Sequence, residues 1–70
     1  MEYTLTIRLN GQPFDIAGPV TISALLDLLA IDPRRVAVEH NLLVIKRDGY
    51  ASTHVHERDE IEIVNFVGGG

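Results

Sequence analysis

From Tyr3 to Leu9 the apolar residues Tyr3, Leu5, Ile7 and Leu9 alternate with Thr4, Thr6 and Arg8. A period of two marks a strand with one face toward a core and the other toward water. The alternation stops at Asn10-Gly11, a pair that tolerates positive φ, and resumes at Phe14 and Ile16. Residues 1–17 therefore predict a β-hairpin, which Gly18-Pro19 closes. The chain has 70 residues and no cysteine. One domain must be held together by apolar packing, without a disulfide framework or a thiolate metal site, and nothing points to an oxidising compartment.

Thr21 is placed to cap a helix in which Ile22, Leu25, Leu26, Leu28 and Leu29 form the apolar stripe that lies on a sheet. Asp32-Pro33 is expected to end it, because the residue before proline avoids the helical region. Val36, Val38 and the run Leu42 to Ile45, separated by His40-Asn41, predict a second hairpin or two short strands, with a turn at Asp48-Gly49. Residues 50–58 lack a clear period and read as a loop with a short bridge or turn. Asp59 to Val67 reads as a last strand, with Ile61 and Ile63 on one face and Glu60, Glu62, Val64 and Phe66 on the other. Either Val64 and Phe66 are an exposed docking patch rimmed by charge, or the strand twists or is covered by the loop. The order strand, strand, helix, short strands, final strand predicts an α+β chain of the β-grasp (ubiquitin-like) type. It would be a mixed sheet crossed by one main helix, with the last strand central beside the first. Residues 1–70 are expected to form one such domain with a glycine tail.

The run Ile61-Glu62-Ile63-Val64-Asn65-Phe66-Val67 leads directly into Gly68-Gly69-Gly70. Without Cβ atoms such a tail can thread a channel too narrow for side chains, and three extended residues reach roughly 10 Å. A terminal α-carboxylate is ionised at neutral pH and can attack an activated phosphate. The expectation is that the carboxylate of Gly70 is the reactive group and that Gly68 and Gly69 carry it into a partner's active site. The alternative is a frayed end.

The net charge of −4 argues against nucleic-acid binding. No segment approaches membrane-spanning length and the first residues lack a leader's pattern, so a cytoplasmic protein is expected. Glu57, Asp59, Glu60 and Glu62 bunch near the carboxyl end. They either steer docking onto a basic partner or form a solvated edge. His54, His56 and Glu57, with His40, imitate a metal site only weakly, and no bound metal is expected. The hydroxyls Ser23, Ser52 and Thr53 and the carboxylates Asp27, Asp32, Asp48 and Asp59 show no catalytic spacing, and a single helix on a sheet rarely encloses a pocket.

Three stretches carry a resemblance over essentially the whole length: the Asn10-Gly11 turn, Thr21-Ile22-Ser23-Ala24-Leu25-Leu26, and Arg35-Val36-Ala37-Val38-Glu39-His40-Asn41. The most specific stretch runs from Arg58 through Asp59-Glu60-Ile61-Glu62-Ile63-Val64-Asn65-Phe66-Val67 to Gly70. In these the chain is similar to the ThiS-type sulfur carriers of thiamine biosynthesis. Many members have glycine where Arg58 stands and where Leu42 follows the asparagine, departures that concern turn geometry and leave the tail intact.

The resemblance implies a carrier and co-substrate that binds no cofactor of its own and is not an enzyme. A ThiF-type adenylyltransferase would use ATP to adenylate the carboxylate of Gly70. A cysteine-derived sulfur donor would convert it to a thiocarboxylate, and a ThiG-type thiazole synthase would consume it. Val64, Phe66 and Val67 are the expected partner contacts. Two other classes remain open. One is a carrier for molybdopterin or transfer RNA thiolation, or a ubiquitin-like modifier. The other is a non-reactive β-grasp interaction domain.

Overall fold

The computed structural model describes residues 1–66. In it the first hairpin forms as β1 (Tyr3–Leu9) and β2 (Gln12–Gly18), paired antiparallel from Tyr3↔Gly18 to Leu9↔Gln12. Asn10 (φ 49°) and Gly11 (φ 81°) both take positive φ, the type I′ geometry that suits a two-residue hairpin loop. Tyr3 shares the core parity of Leu5 and Ile7 yet is half exposed, because it stands at the strand's open end.

Helix α1 (Ile22–Leu28) is capped as expected, with the Thr21 hydroxyl oxygen accepting the Ala24 N–H at 3.1 Å. It ends four residues before the expected stop at Asp32-Pro33. Ala30 turns left-handed (φ 58°), its N–H donating to Asp27 O and that of Ile31 to Leu26 O. That pair of bonds is the Schellman closure, which more often uses glycine at this position, so alanine concealed the stop. With the helix cut short, Ile22, Leu25 and Leu26 are buried and Leu29 is half-buried. Leu28, expected in the apolar stripe, is instead exposed. Asp32 caps a 3₁₀ turn, Pro33–Arg35, and the hydrogen-bonded Arg34 guanidinium lowers its carboxyl to about 2.

The second hairpin is β3 (Val36–His40) and β4 (Leu43–Ile45), and β5 (Glu60–Asn65) is the last described strand. Among the described residues the five strands form one sheet in the order β2-β1-β5-β3-β4, with β5 parallel to β1 and antiparallel to β3. This is the predicted mixed sheet, with the last strand between the first and third. Residues 50–58 form the predicted loop, tied down by a bridge between Thr21 and His54. The core lies between sheet and helix, where Ile7, Ile22, Leu25, Leu26, Val38 and Ile61 are almost completely enclosed. Among the described residues no helix is long and apolar enough to cross a membrane.

Candidate functional site

Among the described residues no helix covers the sheet's second face, and the alternation of β5 decides what that face shows. Ile61 and Ile63 turn toward the core, so Glu60, Glu62 and Val64 project outward, followed by Phe66. Val64 is 56% and Phe66 53% exposed, so the open alternative resolves to uncovered side chains. Val64 lies opposite Ala37, and the Phe66 N–H donates to Arg35 O at 2.9 Å. On the neighbouring hairpin Leu42, Leu43 and Val44 are exposed as well. Val67, Gly68, Gly69 and Gly70, named from the sequence as contact and tail, lie outside the described residues.

Toward the start of β5 the same face is acidic. Glu62 sits directly opposite Glu39, a cross-strand like-charge pair that costs stability. Among the described residues neither joins an ion pair. Arg8 lies beside Glu60, but its guanidinium donates to Gly11 O at 2.8 Å. A concavity of about 280 Å³ opens here between the two hairpin turns, touched by Gly11, Leu42 and the three glutamates. It is open to solvent, and among the described residues its lining holds no serine, threonine, cysteine, histidine or lysine.

Asp59 corrects the picture of an acidic edge, because its residue is only 8% exposed. Its carboxylate accepts from His40 Nε2 at 2.6 Å, from the His56 N–H at 2.8 Å and from Asn41 Nδ2 at 3.2 Å. Burial pushes this carboxyl upward, but these donors outweigh it and hold Asp59 below its ordinary value. His40 is thereby engaged in structure, and Glu57 accepts the Thr6 N–H at 2.9 Å. Among the described residues no three His, Asp or Glu side chains are arranged to hold a metal ion. Ser52 and Thr53 hydroxyls donate to Gly49 O, and Ser23 lies in the first turn of α1.

Two asparagines read from the sequence only as turn residues also grip β5. Asn41 donates its N–H to Glu60 O and accepts the Glu60 N–H at Oδ1, each at 2.8 Å. Asn10 accepts the Ile63 N–H at Oδ1 (2.7 Å) and donates from Nδ2 to Ile63 O (3.2 Å). Contacts across 19 and 53 residues of sequence leave no periodic trace; the sole signal was an asparagine in each turn.

Comparison with known proteins places these features in one lineage. The model of the ThiS family matches residues 7–70. The chain is 37% identical to the sulfur carrier protein ThiS of Bacillus subtilis (strain 168), covering 91% of this chain and 98% of that protein. A crystal structure of the thiamine biosynthesis protein (ThiS) from Geobacter metallireducens superposes with a TM-score of 0.83 at 30% identity, covering 94% of this chain and all of that one. The chain is also 42% identical, over 94% of its length, to part of a thiazole synthase from Paramagnetospirillum magneticum (strain ATCC 700264 / AMB-1). It spans only 20% of that protein.

Proposed function

The chain belongs to the ThiS family of small sulfur carriers, and from that premise we propose that it carries sulfur on the carboxylate of Gly70 for assembly of the thiamine thiazole ring. The observation that carries this reading is the family match across residues 7–70, with the last described strand held between two neighbours and showing Val64 and Phe66 on its open face. It is a co-substrate acting in the cytoplasm, not a catalyst. That fits a molecule in which His40 and Asp59 are engaged with each other and Glu57 accepts a main-chain N–H.

A ThiF-type enzyme docks on the open sheet face through Val64, Phe66 and Val67, and Gly68 and Gly69 enter its active site. A carboxylate oxygen of Gly70 attacks the α-phosphorus of ATP, pyrophosphate leaves, and an acyl adenylate forms. Hydrosulfide derived from cysteine then bonds to the carbonyl carbon, the bond to the phosphate oxygen breaks and AMP departs, and loss of the remaining S–H proton leaves a thiocarboxylate. The acidic flank of the face, Glu39, Glu60 and Glu62, favours a basic partner surface. The ThiS-like segment within proteins named thiazole synthase supports a thiazole synthase as the consumer.

Intact-mass spectrometry tests this after incubation with the cognate adenylating enzyme, ATP and a sulfide source. The expected result is replacement of one oxygen by sulfur at Gly70. An unchanged mass, with an enzyme that demonstrably activates another carrier, would reject the reading.

A further inference from the structure

We propose that Asn10 is a positioning residue for the reactive tail, its carboxamide standing in for a missing stretch of β1 beside Ile63 and fixing the line on which β5 leaves the sheet. The proposal rests on the carrier function above. The pairing of β1 with β5 ends at Leu9↔Ile61, because the chain turns away at Asn10, whereas β3 follows β5 as far as Val36↔Asn65. The Asn10 N–H makes the last main-chain bond, to Ile61 O at 2.9 Å. Two residues further on, both main-chain groups of Ile63 are taken by the Asn10 side chain, at 2.7 and 3.2 Å.

A carboxamide can present an acceptor and a donor side by side in one plane, the same pair that the N–H and C=O of a strand residue present to a neighbouring strand. Glycine or aspartate would also satisfy the turn. Neither provides a donor for Ile63 O. Left-handed φ at Asn10 aims this short side chain at β5, so the turn and the clasp depend on one conformation. Asn41 braces the entry of β5 at Glu60, and Asn10 braces its exit.

Val64 and Phe66 follow Ile63 at once. If the exit frays, only a fraction of molecules present the docking side chains and the tail in productive relation. Apparent affinity for the adenylating enzyme falls by that fraction, while a tail already seated reacts at its former rate. The signature is therefore a raised KM with an unchanged kcat.

The test uses N10G, which keeps positive φ and the main-chain bond, and N10D, which keeps the acceptor but loses the donor. I22V, a core change away from the exit, serves as the stability control. Amide exchange is followed at Ile63 against Val38, and adenylation is followed by pyrophosphate release. In N10G, Ile63 exchange is expected to quicken roughly tenfold relative to Val38 as two hydrogen bonds are lost. KM should rise about threefold or more in both variants at constant kcat, while I22V lowers Tm and leaves KM alone. An unchanged KM in N10G and N10D, or an equal rise in I22V, would overturn the role of Asn10 and spare the carrier function. A wild-type chain that is never adenylated would overturn both.

Discussion

Replacing Asp59 by alanine is expected to remove about half the stability of this domain. The carboxylate is buried and accepts from three donors, His40 Nε2, the His56 N–H and Asn41 Nδ2. A donor left unpaired in such a site costs about 1–3 kcal/mol. All three donors can recover part of their loss from water, since the His40 side chain is 17% exposed and Asn41 and His56 are exposed residues. Taking the low end for each donor gives a loss of about 3 kcal/mol. Against roughly 5–7 kcal/mol for a domain of this size that leaves a marginal fold, and it lowers Tm by roughly 15 °C. Urea unfolding followed by circular dichroism measures it directly, with an unchanged m-value required for the comparison. Asp59→Asn, which retains one acceptor oxygen, should fall between wild type and alanine. A loss below about 1 kcal/mol in Asp59→Ala would show that its donors find other partners and would refute the hub reading.

The same carboxylate sets an acid limit. Its folded pKa lies below the ordinary value of 3.8, so the unfolded chain binds the proton first. The contribution is therefore complete above about pH 5 and is lost as pH falls through 4 toward the lower folded value. Asp59→Asn should flatten the fall of stability in that acid window, and an unaltered slope would count against it. Phe66→Asp is expected to weaken binding to the adenylating enzyme by tenfold or more, on the order of 1.4 kcal/mol. Because the ring is half exposed, Tm should barely move, and a collapse of the dichroism spectrum would instead make Phe66 a core residue. Leu42 holds φ 72° with its side chain exposed. Leu42→Gly should raise stability by about 0.5–1 kcal/mol in urea titration, and a loss would mean the leucine packs in a way its exposure does not suggest.

Much of the fold was legible because burial on one face writes a period into the chain. The alternation at Tyr3 to Leu9, the Asn10-Gly11 turn and the Thr21 cap each act over a few residues, and each is found where its local chemistry requires. The parity of β5 placed Val64 and Phe66 opposite Ile61 and Ile63, although only a sheet with one uncovered face could leave them exposed. The end of α1 escaped because the Schellman turn used Ala30, which carries no local signal for left-handed φ.

By itself, then, the chain determined its elements, their order and the side chains that share a face, since these follow from side-chain periodicity and backbone preference within short windows. Tertiary structure alone decided that Asp59 is a buried hub and that Asn10 and Asn41 close on β5. Apart from the local bond from the His56 N–H, those contacts join residues 18 to 53 positions apart. Their energy comes from desolvated donors meeting acceptors, and no residue carries that information until the sheet has brought its partner within about 3 Å.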